Sequence, residues 1–209
     1  MHEAFSRVGV DEHERRIVVN ALLESSLAGY HSHGIMRVPF YVESIRNGRM
    51  VPGATMEVLR ESAAAVHLDA SFGLGPVAAT RAIWRAVDLA SRCGVGCVSV
   101  VGASDVARLG SYVIAPAEAG YVTLLLVNDA GGNPCVAAAG SPTPFLSTNP
   151  LAAGIPRGDG EPAIVIDMST SVAASGKLKM LKAAGQPIPK DWLIDAEGNP
   201  TTEPSGALA

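Results

Sequence analysis

Val95-Gly96-Cys97-Val98-Ser99-Val100-Val101 is the stretch on which the fold turns. β-Branched residues dominate it, which favours a pleated strand, and its near-continuous apolar character predicts a strand buried within a sheet. Outward from it, the glycine-bounded segment 102–110 reads as a loop and 111–119 as a helix. Residues 121–128 then read as a second strongly apolar strand. Strand, helix and strand in succession predict a layered α/β core. Upstream, Phe72-Gly73-Leu74-Gly75-Pro76 opens a long helix that runs to Arg92 and stops at Gly94. Residues 55–60 and 64–68 before it read as a hairpin.

The N-terminal region is helical by pattern. Asp11 can cap a helix to about Ala28, because Val18, Val19, Leu22, Leu23 and Leu27 recur on one face. Pro39 suits the first turn of a second helix, with Asn47-Gly48 as its stop. Downstream, 151–155 and 163–167 add two strands, and beyond Gly176 the pattern loosens into a short helix and a polar tail.

Composition bounds the partners. The chain has 209 residues, 48% of them hydrophobic, and a formal net charge of −4. That length suffices for one sizeable core or two small lobes. No apolar run approaches the roughly 20 residues of a membrane span, and the first residues lack the apolar stretch of a signal peptide. No basic block is present, so no nucleic-acid partner is expected. Cys93, Cys97 and Cys135 are odd in number and follow no zinc spacing, which predicts reduced thiols in the cytoplasm.

Chemistry concentrates in Gly29-Tyr30-His31-Ser32-His33-Gly34-Ile35-Met36-Arg37-Val38-Pro39-Phe40-Tyr41. Arg37 offers a planar fork for a carboxylate, and His33 can exchange a proton with a substrate oxygen near neutral pH. Together they suit a small organic acid; the plainer alternative is a histidine-rich turn with no ligand. His31 and His33 could also face one way from an extended segment as a metal pair, but no third ligand is evident, and no metal is expected. Asp167-Met168-Ser169-Thr170-Ser171 places a carboxylate and hydroxyls where an apolar strand ends. Such hydroxyls can bind ribose or phosphate oxygens, or can cap a helix. Loops 102–110 and 128–133 also follow strands, where active groups of layered folds gather. The G-x-G-x-x-G fingerprint, the P-loop and the G-x-S-x-G elbow are all missing from the sequence.

In order, the motifs are Ser32-His33-Gly34-x-x-Arg37-x-Pro39-x-Tyr41 with Gly48, then Ser147-Thr148-Asn149-Pro150. Asp167-Met168-Ser169-Thr170-Ser171 follows with Gly176-Lys177, and then Pro189-x-x-Trp192-x-x-Asp195-x-x-Gly198-x-Pro200-Thr201-Thr202. Over nearly its whole length the chain resembles the malate/L-lactate dehydrogenase family that lacks the usual Rossmann domain. That family includes ureidoglycolate and sulfolactate dehydrogenases and cyclic imino acid reductases. The resemblance implies a three-layer α/β/α fold around a mixed sheet: a non-Rossmann dinucleotide-binding core at 61–209, truncated at its C-terminus, and a helical substrate-side region at 1–60. It implies hydride transfer between NAD or NADP and the 2-carbon of a small 2-hydroxy or 2-oxo acid, by a homodimer. It places Ser32, His33 and Arg37 at the substrate, with Tyr41 a weaker candidate. Asn128, Asp129, Thr148, Asn149, Asp167, Met168, Ser169, Thr170 and Ser171 fall at the dinucleotide.

Three departures stand out. Relatives carry an acid/base histidine in a His-x-Gly-x-x-Gly loop after the 95–101 strand. Here the loop reads Ser104-Asp105-Val106-Ala107-Arg108-Leu109-Gly110, which sets Asp105 at the histidine position and Ala107 at a usual glycine. His31 stands where many relatives have Asp. Relatives also continue past the position of Ala209 into a glycine-rich Gly-His-Lys-Gly segment. Aspartate, with a reference pKa of about 3.9, is a far weaker base than histidine at about 6.5. Three expectations follow: a dehydrogenase with an altered base, His31 or Asp105; a relative that binds dinucleotide or acid without turnover; or an incomplete chain whose remaining part would supply the rest.

Overall fold

The computed structural model describes residues 1–129, 134–158, 160–173 and 175–203. By contact the chain divides into two compact units, Met1–Thr123 with Gly154–Val165, and Leu124–Ala153 with Ile166–Ala209. The N-terminal helices share one core with residues that follow them, Leu74, Val77 and Ala107.

That core is built around α2 (Glu12–Leu27). Asp11 caps it, its carboxylate accepting from the backbone N–H of His13 at 2.8 Å and of Glu14 at 3.0 Å. Phe5 from α1 (His2–Ser6) packs with Val18, Val19 and Leu22 of α2, with Tyr41 of α3 (Val38–Arg46), and with Leu74, Val77 and Ala107. Pro39 lies in the first turn of α3, where its missing N–H costs nothing. Glu14 is buried in this region and accepts from the backbone N–H of Gly53 at 2.8 Å, with Arg81 at 4.0 Å. The short helix α1 carries no periodic signal and was not expected.

The expected hairpin is β1 (Glu57–Glu61) and β2 (Ala65–Asp69), antiparallel; β2 then pairs in parallel with β3 (Cys97–Val101). Parallel pairing needs a crossover, which α4 (Gly75–Cys93) supplies. This sheet is therefore mixed, and the α/β class stands. Gly94, with φ +79°, ends α4 in the left-handed conformation open to glycine. Leu89 of α4 packs with Val66, Leu68, Val98 and Val100.

β3 is not buried on both faces, contrary to expectation. Cys97, Ser99 and Val101 are exposed, because α4 covers only the face of Val98 and Val100. After α5 (Gly110–Glu118), a second sheet has the order β4 (Thr123–Leu126), β7 (Leu151–Ile155), β8 (Ile164–Met168). Leu124 and Leu126 are exposed in β4. Between β4 and β7 a small hairpin joins β5 (Val136–Ala137) to β6 (Pro144–Leu146). α6 (Ser175–Ala183), β9 (Leu193–Ile194) and β10 (Pro200–Thr201) follow. Leu178, Ile188 and Leu193 form a small core there, with Lys177 lying 4.8 Å from the Trp192 ring centroid. Residues 130–133 of the expected 128–133 loop, and the tail from 204, lie outside the described residues.

Candidate active site

Helix α3 and the loop after β3 converge on one cluster. Tyr41, fully buried, donates from Oη to the backbone oxygen of Asp105 at 2.7 Å and to its Oδ1 at 2.8 Å. The Ala107 N–H also reaches Oδ1, at 3.1 Å, and Arg37 Nη2 pairs with Oδ2. Beneath Arg37 lies the Phe40 ring, its centroid 4.2 Å from the guanidinium carbon, a cation–π contact. Burial first, then the charge of Asp105, pushes the Tyr41 phenol well above its ordinary range, so it stays a donor. Burial likewise raises Tyr112, whose Oη donates to the Val106 carbonyl at 2.5 Å.

Small residues make this convergence possible. A Cβ on Gly75 would overlap the backbone oxygen of Asp105, so only glycine lets the loop close onto the start of α4. Ser104 Oγ fixes that approach, accepting from Gly75 N–H at 2.8 Å and donating to the Gly73 carbonyl at 2.7 Å. Ala107 holds φ +59°, a left-handed conformation that costs a non-glycine residue energy. It occupies the position the resemblance gives to a glycine, and the Asp105 carboxylate on its N–H helps hold it there.

Ser32 and His33 lie in a turn of 3-10 helix, His31–His33, with Ser32 Oγ 3.1 Å from His33 Nδ1. In such a turn residues two apart diverge, so the same-facing geometry of an extended His31–His33 metal pair is not formed. A Cβ on Gly34 would overlap Ser26, whose Oγ accepts from the Ile35 N–H at 2.9 Å. His33 is half-buried and His31 exposed.

In the second unit, the expected dinucleotide residues are drawn together. Thr148 O accepts from the Thr170 N–H at 3.2 Å, from Ser169 Oγ at 3.0 Å and from Thr170 Oγ1 at 3.3 Å. Thr170 Oγ1 also reaches Asn149 O at 3.0 Å, and Ser169 and Ser171 share a 2.5 Å hydroxyl contact. Asn128 and Asp129 are exposed at the end of β4, where the Asp129 N–H reaches Ser147 Oγ at 3.4 Å. Asp167 and Met168 close β8, with Met168 exposed. Asn149 holds φ +38°, and its Oδ1 is buried without a hydrogen-bond partner among the described residues. A buried acceptor left open beside clustered hydroxyls fits a ligand rich in N–H and O–H donors, as ribose and carboxamide groups are.

Sequence reasoning missed the parts played by Phe40, Ser104 and Tyr112. The Ser-Asp start of the 104–110 loop was a usable signal for Ser104, since both residues turn a backbone by side-chain bonding. Phe40 and Tyr112 act through contacts only the fold creates.

The malate/L-lactate dehydrogenase family model matches residues 1–209, and the chain belongs to that family. It is 35% identical over 206 residues to (2R)-3-sulfolactate dehydrogenase (NADP(+)) of Chromohalobacter salexigens, covering 99% of this chain and 60% of that protein. The structure of malate dehydrogenase from Entamoeba histolytica superposes with a TM-score of 0.92 at 30% identity, covering 100% of this chain and 57% of that one. Delta1-piperideine-2-carboxylate reductase from Pseudomonas syringae pvar. tomato superposes with a TM-score of 0.89 at 32% identity, covering 99% and 61%. The chain thus spans less than two thirds of each relative's length.

Proposed function

We propose that this chain serves an oxidoreductase that moves a hydride between NAD or NADP and the 2-carbon of a small 2-hydroxy or 2-oxo acid. The observation that carries the reading is the Arg37 guanidinium, set over Phe40 and fixed by Asp105 beside the Ser32–His33 turn. Arg37 grips the substrate carboxylate, and Ser32 orients the His33 ring. Both Asp105 oxygens are committed, so the hydroxyl proton passes to His33 rather than to Asp105. Tyr41 acts through Asp105. The dinucleotide, when bound, supplies or accepts the hydride; Asn128, Asp129, Thr148, Asn149 and the 167–171 segment hold it.

Family membership supports a homodimer, and the exposed cysteines Cys93 and Cys97 suit the reducing cytoplasm. No helix among the described residues is long and apolar enough to cross a membrane. A second reading, binding without turnover, is favoured by one fact: the Arg37 fork already holds a carboxylate of its own chain.

Fluorescence titration with NADH and NADPH tests the cofactor, and their oxidation in the presence of pyruvate, oxaloacetate or a cyclic imine tests turnover. Asp167→Ala with Thr170→Ala should weaken dinucleotide binding roughly tenfold or more without loss of helical signal, since Thr170 Oγ1 ties down both Thr148 and Asn149. Unchanged affinity would make the segment structural, and cofactor binding without oxidation of any acid would favour the second reading.

A further inference from the structure

The chain around Ser32 and His33 is two single turns of 3-10 helix, His31–His33 and Ile35–Arg37, joined at Gly34. The His33 N–H donates to the Tyr30 carbonyl and the Arg37 N–H to the Gly34 carbonyl, both at 2.9 Å. Turns this short keep their place only through outside anchors. Two such anchors lie at its ends, and both reach the loop after β3. At the C-terminal end Arg37 pairs with Asp105. At the N-terminal end the Arg108 guanidinium carbon lies 4.6 Å from the Tyr30 ring centroid. Asp105 and Arg108 stand three residues apart on a stiff support. Ala107 and Leu109 are buried, and Tyr112 Oη donates to the Val106 carbonyl. The Tyr30 ring is 40% exposed and stands outside the core packed around Phe5 and Tyr41, so burial does not explain its place. The Arg108 cation does.

We propose that Arg108 is a positioning residue for His33, acting through Tyr30. The cation–ring contact fixes the residue whose carbonyl holds the His33 N–H, and so sets the imidazole at its spacing from the Arg37 fork. The inference rests on the 2-hydroxy acid reading and adds to it a cation that acts without touching the acid. Arg37 with Asp105 and Tyr30 with Arg108 then form one clamp, closed from both ends on the turn between them. The two halves differ in chemistry. The Arg37 half is an ion pair whose cation also faces the substrate, whereas the Arg108 half is a stack on an aromatic face. A contact of that kind shifts the balance between held and open turns by about two- to fivefold.

The test reads amide hydrogen exchange by NMR, and NADPH oxidation with pyruvate, in wild type, Arg108→Met, Tyr30→Leu and Tyr30→Phe. Methionine keeps most of the Arg108 stem and removes the cation, while phenylalanine keeps the ring face. In Arg108→Met and Tyr30→Leu the His33 amide should exchange about two- to fivefold faster, with that of Leu22 in α2 unchanged. Their kcat should fall about threefold or more, because rate is steep in the placement of the proton-accepting ring, with KM for pyruvate within about twofold. Tyr30→Phe should match wild type in both readouts. Joining Arg108→Met to Tyr30→Leu should cost no more than either alone. Unchanged His33 exchange in both variants overturns the proposal, as does equal acceleration at Leu22, the mark of a purely structural role. A raised KM at constant kcat also overturns it, since Arg108 would then hold the acid itself. If Arg108→Met fails to fold, Tyr30→Leu against Tyr30→Phe decides, at a position that is largely exposed. A folded wild type that oxidises no NADPH with any 2-oxo acid counts against the 2-hydroxy acid reading, and His33 exchange still decides the clamp.

Discussion

At the scale of single residues, Arg37 carries the most chemistry for its size. Its guanidinium is asked to stack on Phe40, hold Asp105 and face a substrate acid at once. Only a planar, delocalised cation can do all three, because a stacked face leaves the N–H donors in the ring's edge plane free to bond outward. Lysine keeps the charge and loses the plane. Arg37→Lys should therefore weaken binding of 2-oxo acids by roughly ten- to hundredfold, the worth of one or two charge-assisted hydrogen bonds. Titration of wild type and variant with pyruvate checks it, and equal affinities would remove Arg37 from the substrate site. Tyr41 contrasts with it: its ring is core, packed edge-on against Phe5 at 6.3 Å between centroids, and only its hydroxyl serves the site.

At the scale of elements, the site depends on how closely the loop after β3 approaches the start of α4. Gly75→Ala should destabilise the first unit by about 1–3 kcal/mol, the usual cost of forcing an added group into packed backbone. It should also move Asp105 and so weaken acid binding; thermal melts and pyruvate titration read the two effects separately. An unshifted melting temperature would mean that the approach is looser than it looks. Local signals made much of this scale legible. Asp11 marked the start of α2, Pro76 and Gly94 bracketed α4, and the valines marked β3. The alternation of Cys97, Ser99 and Val101 with Val98 and Val100 also held the one-sided burial of β3, but the apolar run masked it. The meeting of Arg37 with Asp105 was not legible, since 68 residues separate them and no local rule pairs them. His31–His33 was legible as a turn, but its 3-10 form was not, for another reason. Short 3-10 turns are set by tertiary anchors, here the Ser26 hydroxyl against Ile35, rather than by periodicity.

At the scale of the molecule, the tyrosines are unevenly shared between the two compact units. All four, Tyr30, Tyr41, Tyr112 and Tyr121, belong to the unit built from Met1–Thr123 and Gly154–Val165. Two of them, Tyr41 and Tyr112, are buried with phenols pushed above the ordinary value of 10.0. The direction of the resulting pH dependence follows from linkage. Below about pH 10 both folded and unfolded chains keep these protons, and the folded state is at full strength. Above it the unfolded chain ionises while the folded one does not, so stability falls as pH rises toward the raised folded values. Each buried phenol then costs up to about 1.4 kcal/mol for every pH unit climbed. The first unit should therefore lose structure on alkaline titration before the second does. The two tryptophans, Trp84 in the first unit and Trp192 in the second, can report the units separately once either is replaced by phenylalanine. Tyr112→Phe gives up the bond to the Val106 carbonyl, lowering stability near neutrality, but should flatten the fall above pH 10 by about half. Denaturant melts from pH 8 to 11, followed through Trp84 alone, check this. An alkaline limb equally steep in Tyr112→Phe would show that groups other than the buried phenols drive the loss.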